Sequence, residues 1–96
     1  MTCNTLDEVR ANIDRIDDNI IKLIAERGTY VSQASRFKKS EEGVKDSSRV
    51  EKVIQKVREK AKSYGANPDM IETLYRQMIA SFINMEMNEF HHQNDA

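Results

Sequence analysis

LDEVRANIDRIDDNIIKLIAERGTYVSQASRFKK, residues 6–39, decides the fold. Its apolar positions Leu6, Val9, Ile13, Ile16, Ile20 and Leu23 are spaced 3,4,3,4,3, a heptad seam on one helix face. Continued, the seam falls on Arg27, Tyr30, Ala34 and Phe37. Thr5 stands before it as an N-cap, with Glu8 three residues on to complete a capping box. Pro is absent from the stretch, and its single Gly is Gly28. At ~1.5 Å rise per residue such a helix is a rod of ~50 Å. A compact chain of this length has a radius of gyration of ~12–13 Å, hence a diameter of ~32–34 Å. Either the rod bends sharply or a second chain packs along it, and a homodimer is the more economical reading.

Beyond the rod, Ser40 to Lys45 breaks the pattern and reads as a loop punctuated by Gly43. A second helix starts near Asp46, where Asp46, Ser47 and Ser48 all qualify as N-caps and Ser48 with Glu51 forms a second capping box. Val50, Val53, Ile54, Val57, Ala61 and Tyr64 line one of its faces, and Gly65 is placed to end it. Asn67 and Pro68 read as N-cap and first residue of a third helix. This one runs to about Phe90 along Ile71, Leu74, Tyr75, Met78, Ile79, Phe82 and Met85. The segment from His91 to Ala96 reads as a frayed polar tail. The expectation is an all-α chain, residues 1–96 forming a single domain.

Composition narrows the function. The 96 residues are 39% hydrophobic and 32% charged, poor in core material for a lone globule. A net charge of −1 argues against binding nucleic acid through a basic excess. Cys3 is the sole cysteine, which excludes an intrachain disulfide and a multi-cysteine metal site. No apolar run reaches the ~20 residues needed to span a bilayer, so no membrane partner is expected. Residues 1–9 lack the layout of a signal peptide, and a cytoplasmic location is the default.

Four charged positions leave two readings open: the seam ends before Arg27 and the cations are solvated or snorkelling, with Arg10 a surface arginine, or they hold an anion. Arg27 falls on the seam, and Lys38, eleven residues on, lies within ~20° of it around a continuous helix. Arg10, seventeen residues before Arg27, is ~100° away around the helix and ~26 Å along it. It cannot join the Arg27 site within one straight helix, but the Arg10 of an antiparallel second copy can. Arg49 sits in the first turn of the second helix against the helix dipole, unless an anion is bound there. Glu86 shares the apolar stripe of Tyr75, Ile79 and Phe82, so either the stripe ends or the carboxyl lies in a polar pocket. His91 and His92 are adjacent in the tail and do not converge on a metal. Lys52, Lys56, Arg58, Lys60 and Lys62 alternate with acids and read as a solvated face. The serines have no partners for a catalytic triad.

The ordered set Leu6–Arg10, Ile13–Asp17, Leu23–Arg27, Lys38 and Asp46–Arg49 resembles the all-α chorismate mutase family. The likeness covers roughly Leu6 to Phe90. Ala34–Lys38 and Arg49-Val50 are similar to its isochorismate pyruvate lyase branch. The resemblance implies an intertwined homodimer of three-helix subunits, whose active sites each take one arginine from the partner. Arg10 matches that arginine, and Arg27 matches the in-subunit arginine that binds a substrate carboxylate. Lys38 matches the lysine that contacts a carboxylate and the ether oxygen. Asp46 and Arg49 match positions that help close the site. Glu86 stands where the family usually has a glutamine that donates to the ether oxygen, so as a donor it must be protonated. Val50 replaces a glutamate that binds the ring hydroxyl, and Phe82 replaces a small polar residue near the ring carboxylate.

The activity so implied is rearrangement of chorismate to prephenate, in aromatic amino acid biosynthesis, without metal or cofactor. Two alternatives stand beside it. One is isochorismate pyruvate lyase, making salicylate and pyruvate. The other is a non-catalytic helical dimerisation module, for which the seam alone suffices but which has no need of Arg10, Arg27 and Lys38 together.

Overall fold

A computed structural model describes residues 2–95, with side chains as far as His91. Among the described residues there are four helices: α1 (Leu6–Ser35), α2 (Glu41–Lys45), α3 (Ser47–Tyr64) and α4 (Pro68–Asp95). Among the described residues there is no strand. The all-α class therefore stands, with a short extra helix where a loop was expected.

The α1 cap forms at Thr5, whose Oγ1 accepts from the Glu8 amide at 3.1 Å. The Glu8 carboxylate reaches back one residue further than a standard capping box and accepts from the Asn4 amide at 2.7 Å. The other end of α1 corrects the sequence-based boundary. The helix stops at Ser35, short of Lys39. Helical pairing would give the Ser32 carbonyl to the Arg36 amide. Instead it accepts from the Ser35 hydroxyl at 2.6 Å, and the Arg36 amide turns to Gln33 O at 3.2 Å. A side-chain donor has displaced a backbone one. The Phe37 and Lys38 amides follow to Ala34 O and Ser35 O at 3.0 and 3.2 Å, which winds the chain into a tight turn.

Ser40 then caps α2, accepting from the Gly43 amide at 3.1 Å. Glu41 and Glu42 in its first turn and Lys45 in its last both suit the helix dipole. Burial of Val44 explains why so short a helix persists. Asp46 both ends α2 and starts α3. Its amide donates to Glu42 O at 2.8 Å, and its carboxylate accepts from the Arg49 amide at 3.1 Å. Of the three cap candidates Asp46 is the one used, and Glu51 goes elsewhere. Gly65 closes α3 in the left-handed conformation, φ 78°, with the Ala66 amide bonded to Ala61 O at 2.8 Å. Asn67 Oδ1 caps α4 through the Asp69 and Met70 amides at 2.9 and 3.3 Å. The helix continues past Phe90 to Asp95, so the backbone expected to fray is helical. The His92 side chain lies outside the described residues.

The chain divides into two compact units, Met1–Tyr30 and Val31–Ala96. In the first, the α1 seam is open to solvent. Leu6, Val9, Ile13, Ile16, Ile20 and Leu23 are 39–63% exposed, and Ile21 and Ile24 are exposed beside them. In the second, α2 and α3 both pack against α4. Val44, Ile54, Ala61 and Ile79 form its buried apolar core.

An ion-pair chain ties α3 to α4. Arg58 Nη1 contacts Asp69 at 3.0 Å and Glu72 at 2.8 Å. Arg76 bonds Glu72 at 2.7 Å and holds both carboxylate oxygens of Glu51 at 2.9 and 3.0 Å. Arg58 is therefore not part of a solvated face. It is half-buried and reaches acids eleven and fourteen residues ahead. Lys52, Lys56, Lys60 and Lys62 are exposed as expected.

Candidate active site

Arg10 and Arg27 lie on α1 within the first unit. Arg10 is exposed, and Arg27 is half-buried. Their spacing on a continuous helix keeps them ~26 Å apart along its axis. One chain thus presents the two cations at separate levels of the same rod.

Lys38, Asp46, Arg49, Val50, Phe82 and Glu86 all belong to the second unit. Lys38 is not on a helix, because α1 ends three residues before it. The eleven-residue spacing from Arg27 therefore does not set its direction, which corrects the argument from helical phase. Two other contacts place it. Its amide donates to Ser35 O. Its stem passes over α2, with Cβ and Cδ each 3.9 Å from where a Gly43 Cβ would sit. The side chain is half-buried. Snorkelling of this kind leaves the ammonium free to meet an anion.

Asp46 and Arg49 are joined through the α3 cap, and both side chains are exposed. Among the described residues, no ion pair neutralises Arg10, Lys38 or Arg49. Val50, next to Arg49, is half-buried. On α4, Phe82 is half-buried and Glu86 is buried at 9% exposure. The Tyr75–Ile79–Phe82 stripe does not end before Glu86; it carries the carboxyl inside.

An open hollow at the α2–α3 junction is lined by Glu42, Lys45, Asp46, Ser47 and Ser48. Two acids against one base suit a dianion poorly. Among the described residues, no group of three or more His, Cys, Asp or Glu is placed to hold a metal, and no helix is long and apolar enough to cross a membrane.

Sequence reasoning missed a polar joint between α1 and α4. The Ser32 hydroxyl lies 3.0 and 2.9 Å from the two Glu89 carboxylate oxygens, and the Ser35 hydroxyl lies 2.9 Å from one of them. The signal was present in part: two serines three apart, and an acid one turn beyond Glu86. Likewise His91 meets Glu41 of α2 at 3.0 Å, although it was read as part of a loose tail.

Two comparisons with known proteins bear on the family. Residues 9–87 match the chorismate mutase type II family. The isochorismate pyruvate lyase of Pseudomonas aeruginosa is 35% identical over 81 residues, which cover 84% of this chain and 80% of that protein.

Proposed function

The chain belongs to the chorismate mutase type II family, and from that membership we propose that it is a chorismate mutase, rearranging chorismate to prephenate for aromatic amino acid synthesis. The observation that carries the reading is the set of cations without ion-pair partners, Arg10, Lys38 and Arg49, together with a buried acid, Glu86. Chorismate is a dicarboxylate. In its rearrangement one C–O bond breaks as one C–C bond forms, all atoms stay in the product, and negative charge develops on the ether oxygen. No nucleophile is required. Fixing a compact conformer and placing positive charge at that oxygen are sufficient tasks for the protein.

In this reading Arg27 and the Arg10 of a second copy clamp the carboxylates through forked donors. Lys38 places its ammonium at the ether oxygen, and protonated Glu86 donates a hydrogen bond to the same atom. Asp46 and Arg49 close the pocket at the start of α3, while Val50 and Phe82 line it. The second copy packs along the exposed α1 seam. That seam is the kind of contiguous apolar surface that marks a protein interface.

A second reading, isochorismate pyruvate lyase, is favoured by two observations. Val50 offers no acceptor to a ring hydroxyl, and the relative from Pseudomonas aeruginosa carries that name. The same ether bond breaks, but a ring hydrogen passes to the enolpyruvyl carbon, releasing pyruvate and leaving salicylate. Incubating the pure protein with chorismate and isochorismate in turn, and identifying the products, separates the two. Turnover of neither, with no binding of a bicyclic diacid transition-state analogue, would leave the dimerisation module as the reading. Lys38→Ala should lower kcat/KM by ~10²–10³-fold, the usual scale for removing one charge-stabilising donor. Retention of more than a tenth of the activity contradicts its role. If Glu86 acts as an acid, kcat/KM should fall as pH rises and the group ionises, and Glu86→Gln should flatten that fall.

A further inference from the structure

Three polar side chains that the proposed reaction does not use meet where the last turn of α1 lies against α4. Ser35 has no exposed surface. A buried hydroxyl is costly unless bonded. Its Oγ lies between Ser32 O, at 2.6 Å, and Glu89 Oε2, at 2.9 Å. Ser32 donates to the same carboxylate, 3.0 Å from Oε1 and 2.9 Å from Oε2. The partners are 54 and 57 residues apart in sequence, so this is a tertiary joint. Apolar contacts tolerate sliding. Ser32 supplies the donor to the carboxylate, and the single Ser35 proton is shared between Ser32 O and Glu89, which together fix a single register.

Both ends of the joint lead to the proposed chemistry. Ser35 O accepts from the Lys38 amide at 3.2 Å, so the turn that presents Lys38 begins on Ser35. Glu89 lies one turn beyond Glu86 on α4, a rise of ~4.5 Å. We propose that Ser32, Ser35 and Glu89 are positioning residues that lock the Lys38 turn to the helix carrying Glu86, so that both groups reach one oxygen. The proposal rests on the reading of Lys38 and Glu86 given above. A displacement of ~1 Å at such a site costs ~10²-fold in rate, so the joint has a kinetic role beyond its contribution to stability.

The test uses the full-length chain with Glu89→Ala and Ser35→Ala, and Glu89→Gln should the alanine variant fail to fold. Glutamine keeps the shape but replaces one acceptor oxygen with a donor. Exchange of the Lys38 amide should quicken at least ~10-fold while protection within α3 holds, as expected for a local opening. Unchanged exchange at Lys38 overturns the proposal. With the substrate that proves active, kcat should fall ~10-fold and KM should move less than ~3-fold. In a Lys38→Ala background, Glu89→Ala should have no further effect on kcat, because it acts through Lys38. An equal loss in both backgrounds overturns the proposal and leaves Glu89 a purely structural residue. If the wild-type protein turns over neither substrate, the functional reading fails, and the amide exchange alone decides whether the joint holds the turn.

Discussion

The unit ending at Tyr30 and the body built from α2, α3 and α4 handle apolar side chains in opposite ways. In the body, Ile54 is 1% exposed and Val44 is 4% exposed, and the charges that link α3 to α4 are paired with one another. In the N-terminal unit the seam is regular but Ile13 and Ile16 are 51% and 47% exposed. Such a regular and open face is what the proposed second copy would cover, and Arg10 and Arg27 lie on the same rod. The body buries its apolar residues within its own chain, whereas the rod is half of an interface only in the proposed dimer. On the proposed dimer, stability in the body should be independent of protein concentration and function at the rod should depend on it.

Ile16→Asp breaks this contrast most directly. A charge placed on the seam meets the second copy's apolar face, and burying it unpaired costs several kcal/mol. The dimer dissociation constant should rise at least ~10³-fold, which corresponds to about 4 kcal/mol. Sedimentation equilibrium reads the shift, and activity should fall with assembly because Arg10 then has no neighbouring site to enter. A wild-type chain that is a folded monomer at micromolar concentration removes the proposed interface altogether.

The matching change in the body is Ile54→Ala. Removing a fully buried isoleucine side chain beyond Cβ costs about 3 kcal/mol, within the usual ~2–5 for such truncations. Denaturant unfolding should show that loss at every protein concentration, unlike the loss at Ile16. A cost below ~1 kcal/mol would mean that the α3–α4 core repacks freely.

How much of this was legible beforehand follows from how locally each feature is encoded. The helix under the Leu6–Leu23 seam and the caps at Thr5 and Asn67 are written within a few residues of where they act and appear as expected, while at α3 the local signal offered three caps and the structure uses Asp46. The end of α1 is different. Ala34 and Phe37 continue the apolar spacing, so periodicity carries the helix to Lys39. What stops it is the Ser35 hydroxyl on Ser32 O, inside a joint whose third member, Glu89, is 54 residues away from Ser35. The α2 helix holds one buried apolar residue, Val44, too few for any period to register. Arg58 looked solvated because its acids lie on the next helix. The candidate site divides in the same way. Charges set into an apolar pattern are visible in one dimension, but the displacement of Lys38 off the helix, and with it the loss of a common phase with Arg27, is not.

A smaller effect sharpens the account of α2. Gly43 is helical, and a Cβ there would meet Ser40 Oγ at 3.6 Å and the Lys38 stem at 3.9 Å, both ordinary contacts. Gly43→Ala should therefore stabilise the chain by about 0.5–1 kcal/mol, through helix propensity and a less free unfolded chain. Thermal unfolding checks this. A destabilised variant would show that α2 needs the glycine for close approach.

The smallest expected effect concerns the ion-pair chain, and its pH dependence has a definite sign. Hydrogen bonds from Arg76 hold the Glu51 and Glu72 carboxyls below their ordinary value of 4.5, in each case against a weaker opposing effect of burial. The same acids push the Arg76 guanidinium up, Glu51 foremost. For a depressed carboxyl the folded state binds fewer protons than the unfolded one near that value. Its contribution is therefore complete above pH 4.5 and is lost as pH falls through the lower folded value. The carboxylates are solvent-screened, so the effect on stability is modest. Arg76→Ala should lower the thermal midpoint at pH 7. Its curve should then converge with that of the wild-type chain only as pH falls through the lowered folded values, below which both acids are neutral in either protein. Parallel curves down to pH 3 would mean that α3 and α4 are held together by the Ile54–Ile79 core alone, and that the body has no charge-dependent element to set against the rod.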